Sequence, residues 1–228
     1  MRRTLLALAI ALSMSVSAVQ AHDDDHGQPG HDVSRVNGGI TAEAGQTYGD
    51  LDTVNGGITV RKGAIAQDVE TVNGGIGIDD EASVDSVSTV NGGIHAGERV
   101  KVVHGAETVN GGIRFGFHSQ LGGDISTVNG GITIKQTTVG GKISTVGGDI
   151  TVGAQSLVKG GIKVDKPHGI SWGKPRIPRI IIGPNATVNG SLDFERDVEL
   201  YVHSSAKVGP VTGATARPYS DTLPPRND

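Results

Sequence analysis

The sequence predicts an all-β chain, a single-stranded β-solenoid (β-helix) of roughly 18-residue coils. Three observations carry that expectation. The hexapeptide TVNGGI occurs five times, beginning at Thr53, Thr71, Thr89, Thr108 and Thr127. Asparagines at 37, 55, 73, 91, 110 and 129 follow one another at spacings of 18 or 19 residues, and Gly147 continues the series. The chain of 228 residues holds 36 glycines and only 3% aromatic residues, so large rings are not the main filling of its interior. Self-similarity at a fixed period marks a repeat architecture, in which each unit buries its apolar face against its neighbours.

The first 21 residues read as a secretory signal peptide: Arg2 and Arg3, an apolar run from Leu5 to Val16, then Val19-Gln20-Ala21 at the cleavage positions. The apolar run is shorter than the roughly 20 residues a membrane span needs, and no transmembrane segment is expected in the mature chain. The expected location is outside the cytoplasm: periplasmic, cell-surface or extracellular. Removing Arg2 and Arg3 takes the formal charge from −4 to −6 (18 cations against 24 anions). With the cations scattered, nucleic acid is not an expected partner. There is no cysteine, hence no disulfide framework, and an exported fold must rely on burial and backbone hydrogen bonds.

Residues 22–32, HDDDHGQPGHD, read as a flexible acidic leader. Its His22, His26 and His31 are weak candidates for metal ligation, since a terminal amine with imidazole chelates copper, but no fixed geometry is implied. No cofactor is expected.

Residues 33–164 read as the solenoid repeats. Around each central residue, Val stands at −1 (Val54, Val72, Val90), Ile at +3 (Ile58, Ile76, Ile94) and another apolar residue at +5, so −1, +1, +3 and +5 are expected to face inward. The apolar position at −4 (Leu51, Val69, Val87) breaks this parity, which places a corner just before the motif. With Val inward, Thr53, Thr71, Thr89, Thr108, Thr127 and Thr145 are expected to form an outward rank beside Asn55, Asn73, Asn91, Asn110 and Asn129. These ranks are the candidate surface sites: side-chain ladders between coils in one reading, a regular binding face in the other. A hairpin meander with Asn-Gly turns is the competing fold, and it is disfavoured because the unit at Thr145-Val146-Gly147-Gly148-Asp149-Ile150 keeps the apolar pattern while losing Asn-Gly.

On these TVNGGI units, from about Val33 to Val164, the chain resembles the adhesin-type β-strand-repeat proteins of bacteria. The resemblance implies a repeat fold and adds little mechanism.

Residues 165–179 carry prolines, Trp172 and the cations Lys166, Lys174, Arg176 and Arg179 with His168, and read as a loop, with Ile170 and Trp172 expected to cover the last repeat coil. Residues 180–213, including Ile182-Gly183-Pro184-Asn185-Ala186-Thr187-Val188 and Val202 to Gly209, look like hexapeptide coils continuing or capping the stack. They resemble the polymer-forming cytoskeletal proteins of the bactofilin type. Residues 214–228 read as a flexible tail.

No catalytic residue is assigned. His203 is the one histidine in the hexapeptide-like coils, where a related architecture supports acyl transfer, and no second group pairs with it in sequence. A calcium β-roll needs an aspartate in each repeat, and acidic residues follow the glycines only at Asp124 and Asp149. The sequence therefore points to an exported, non-catalytic solenoid with a structural or adhesive purpose and coil ends suited to self-association. Ligand or ice binding through the Thr and Asn ranks is the second reading, and a hexapeptide-type acyltransferase the third.

Overall fold

The computed structural model describes residues 30–167 and 176–221. The signal peptide, His22, His26, Ile170, Trp172 and residues 222–228 lie outside the described residues.

The chain is an all-β, single-stranded solenoid. The coils contribute short strands to three faces, and among the described residues every pairing between coils is parallel, as in Leu51↔Val69, Ile58↔Ile76 and Lys101↔Gln120. A motif face runs from Val33–Asn37 through Leu51–Asn55 and onward to Val211–Thr212. Among the described residues an isoleucine face stacks ten strands, from Ile40–Ala42 to Ala216–Tyr219. A third face runs from the start of Ile65–Asn73 to Lys207–Val208. At about 4.8 Å per coil, ten coils make a column roughly 45 Å long.

The interior consists of vertical columns. On the isoleucine face Ile58, Ile76, Ile94, Ile113, Ile132 and Ile150 are each at most 1% exposed. Leu51, Val69, Val87, Ala106, Ile125 and Ile143 fill the motif face. The third face supplies Ala66, Val84, Val102, Leu121, Val139 and Val158. This last column recurs with the same period and is readable in the sequence, although attention to TVNGGI alone misses it. Each fully buried aliphatic side chain contributes about 1.5–3 kcal/mol, realised only when the next coil is in place.

The parity within TVNGGI is the reverse of that expected. Thr53, Thr71, Thr89, Thr108, Thr127 and Thr145 point inward, at most 4% exposed, whereas Val54, Val72 and Val90 are half-buried on the outside. Positions −4 and −2 share one inward phase, +3 and +5 another, and the corner between them is Asn-Gly-Gly itself. Strands end at the asparagine, as in Leu51–Asn55, and resume at the isoleucine, as in Ile58–Val60.

The stack also extends beyond both expected limits. Gly30 and His31 already pair with the next coil, through Gly30 N–H to the Thr47 carbonyl and Gly49 N–H to the His31 carbonyl, at 2.9 and 2.8 Å. At the other end, Ala216–Tyr219 is a strand paired with Glu199–His203, where a tail is expected. Between them, Ile150 pairs directly with Ile180 and Val158 with Val188, so the hexapeptide-like coils belong to the same column. The sequence between the strands ending at Val164 and beginning at Arg179 is longer than the equivalent stretch of the other coils, an insertion of which residues 168–175 lie outside the described residues.

Candidate functional surfaces

The repeated polar groups are turned toward neighbouring coils. Thr53 Oγ1 donates to the Gly38 carbonyl at 3.0 Å, and Thr71, Thr89, Thr108 and Thr127 repeat the contact to Gly56, Gly74, Gly92 and Gly111 at 2.8–3.0 Å. The hydroxyl thereby satisfies a corner carbonyl beside the apolar interior. In the coil that lacks asparagine, Thr145 Oγ1 instead accepts the Gly148 N–H at 3.1 Å. The Thr rank is therefore not a surface. The Asn rank is exposed, and it forms a ladder: Asn55, Asn73, Asn91, Asn110 and Asn129 each donate Nδ2 to Oδ1 of the asparagine one coil earlier at 3.0–3.1 Å.

The first glycine of the motif is required by contact. A Cβ on Gly56, Gly74, Gly92, Gly111 or Gly130 would be driven into the carbonyl oxygen of the equivalent glycine one coil earlier. That carbonyl also accepts the threonine hydroxyl, so Thr and Gly of one motif read the same oxygen of its neighbour. The second glycine is less constrained: a Cβ on Gly57 or Gly93 would lie 3.1 Å from its nearest neighbour. The later coils place Asp149, Arg179 and Glu199 there.

An acidic strip lies on the outer side of the motif face. Asp32 Oδ1 accepts the Asp50 N–H at 3.0 Å, and Asp50 Oδ1 accepts the Asp68 N–H at 3.2 Å, a carboxylate ladder that caps backbone donors. Beside it, burial together with the charges of Glu70 and Asp50 pushes the Asp52 carboxyl up to about 6. Glu70 is raised as well, mainly by burial, with Asp68 and Asp50 adding to it. No group of three or more His, Asp or Glu residues placed to hold a metal ion occurs among the described residues. His31 packs against Tyr48 with ring centroids 5.9 Å apart.

The third face bears a shallow groove of about 280 Å³, with Lys101, Gln120, Thr138 and Lys159 among its lining residues. His203 sits at the C-terminal coils with both ring nitrogens engaged. Nδ1 lies 2.8 Å from Ser205 Oγ and 3.1 Å from the Ser205 backbone nitrogen, Nε2 lies 3.3 Å from the Ser220 carbonyl oxygen, and the ring meets Tyr219 edge-on at 5.0 Å.

The insertion returns to the stack through an arginine-rich patch that sequence reading treats only as loop charge. Asp149 accepts Arg176 Nη2 at 2.5 Å and the Arg179 backbone N–H at 2.8 Å. Arg196 donates to the Val146 carbonyl at 2.8 Å and the Arg176 carbonyl at 2.7 Å. Arg179 and Arg217 both approach the Tyr201 ring, at 4.6 and 5.7 Å from its centroid.

No described helix is long and apolar enough to cross a membrane. No family model, curated protein or solved structure matches the chain.

Proposed function

We propose that the chain is an exported, non-catalytic solenoid with a structural or adhesive role in the bacterial cell envelope, akin to the adhesin-type repeat proteins, with final coils of bactofilin type. The observation that carries this reading is the use of the repeat's own polar groups: threonine hydroxyls on corner carbonyls and asparagine amides on one another. The threonines are turned away from solvent, and the exposed asparagines spend their amides on one another from coil to coil. The motif holds coils in register.

Self-association through the coil ends belongs to the same proposal. Among the described residues, Val33–Asn37 pairs on one side only, with Leu51–Asn55, and Val36 is 61% exposed on it. An open parallel edge accepts another strand. The last strand of the isoleucine face carries Pro218, which lacks a donor, so the N-terminal end is the better acceptor. The test is gene deletion scored for envelope integrity and attachment, with sedimentation of the purified protein over a concentration series. Impaired integrity or attachment together with concentration-dependent association supports the reading. A deletion strain unchanged in both, with a monomeric protein at every concentration, overturns it.

A further inference from the structure

Arg179 is the first residue of the strand Arg179–Ile182, where the insertion rejoins the column. Its backbone is fixed by the Asp149 carboxylate, and its guanidinium stacks 4.6 Å from the Tyr201 ring centroid. Tyr201 is itself only 7% exposed, and Arg217 Nη1 donates to its hydroxyl at 3.2 Å. The Arg179 head group is thereby held over the Tyr201 ring before any ligand arrives.

Two of its nitrogens, Nε and Nη2, are buried and have no hydrogen-bond partner. These are not an arbitrary pair. Their N–H bonds leave the same edge of the guanidinium in parallel, forming the fork that grips two oxygens of one carboxylate or phosphate group. The carboxylates that could fill it are turned elsewhere. Asp149 is taken by Arg176 and by the Arg179 backbone, and Glu199, directly opposite Arg179 in the strand register, lies 3.5 Å from Arg217. Leaving charged donors buried and unpaired is among the more costly arrangements in a protein interior.

We propose that this fork is an oxyanion-binding site: Arg179 holds two oxygens of a carboxylate or phosphate group side-on, and the Tyr201 ring supports the guanidinium from its face. The two nitrogens are shielded from bulk water, so an oxyanion reaches them only as the surrounding side chains give way. The site is separate from the Thr and Asn ranks, and nothing in it requires the structural reading of the repeats.

The test uses the full mature chain titrated with inorganic phosphate or with acetate, against chloride at matched ionic strength. Two quantities are followed, the melting temperature and the side-chain Nε–H resonance of Arg179, assigned through its own backbone. At least one oxyanion is expected to raise the melting temperature and move that resonance saturably while chloride does neither. The more effective anion names the ligand's head group. Arg179→Lys, which keeps the charge and removes the fork, is expected to weaken the effect about tenfold or more. Arg114→Lys, on an earlier coil of the same face, is expected to leave it intact. If neither anion moves the Arg179 resonance, or if Arg179→Lys responds as the parent does, the proposal is wrong. The resonance in the parent decides the matter even if the variant fails to fold.

Discussion

Thr71 Oγ1 donates to the carbonyl oxygen of Gly56, one coil earlier, at 2.8 Å. The same oxygen abuts Gly74, whose missing Cβ is what lets the coils close. Two letters of TVNGGI thus converge on a single acceptor, and the hexapeptide is repeated because the contact is repeated.

Replacing Thr71, Thr89 and Thr108 together by valine tests that contact. Valine keeps the shape and the branching, but it leaves three corner carbonyls without their hydroxyl donors. The gain in apolar burial offsets part of the loss. A net destabilisation of about 1 kcal/mol per site is expected, read as a lower urea midpoint with unchanged far-ultraviolet circular dichroism. A variant as stable as the parent would mean the hydroxyls are not needed.

The two glycines of one motif should differ in tolerance. Gly92→Ala drives a Cβ into the Gly74 carbonyl, backbone that has no room to yield, whereas Gly93→Ala meets the Gly112 carbonyl at 3.1 Å. Overpacking of the first kind costs about 1–3 kcal/mol, and the second should cost well under half of that. Thermal melts of the two single variants check the ranking, and equal melting temperatures would contradict it.

The period and the isoleucine columns were legible in the sequence because burial recurs at the coil length, and Ile58, Ile76 and Ile94 permit only one orientation. The Thr and Val of each motif were not. Both are β-branched and nearly isosteric, so hydropathy favours Val inward, and only a carbonyl from the adjacent coil makes Thr the better interior residue. One available signal was parity: −4 is apolar and shares its phase with −2, which requires the corner to fall at Asn-Gly-Gly. The Arg179 fork was not legible at all, since it depends on Tyr201 stacking from another coil and on Asp149 and Glu199 being occupied elsewhere.

Ile94→Asp should unfold most of the column. Ile94 is 1% exposed and stacked between Ile76 and Ile113, and a carboxylate there has no partner. The cost is several kcal/mol, and neighbouring coils lose the surface against which they bury their own side chains. Loss of the β-sheet circular dichroism signal and rapid proteolysis are expected. Native resistance to protease would show that the coils are not mutually dependent.

The acidic strip should make stability depend on pH in the direction opposite to a salt-bridged carboxylate. Asp52 titrates at about 6 in the folded chain against 3.8 in its ordinary state, because burial and the charges of Glu70 and Asp50 oppose ionisation. The folded state therefore binds more protons than the unfolded state between those two values, and stability falls as pH rises through that window. Glu70 is raised by a similar environment and contributes with the same sign. Well below pH 3.8 both states are protonated and the difference vanishes. Asp52→Asn removes the charge while keeping the shape. Because the group is partly exposed, solvent screening reduces the effect, and the substitution should raise stability by about 1 kcal/mol at pH 7.5. It should have little effect at pH 4, so the gap between variant and parent widens from pH 4 to 7. Urea melts of both proteins at half-unit steps across that range measure it directly. A gap that stays constant with pH, or that favours the parent at pH 7.5, would show that Asp52 is not held against ionisation by its neighbours.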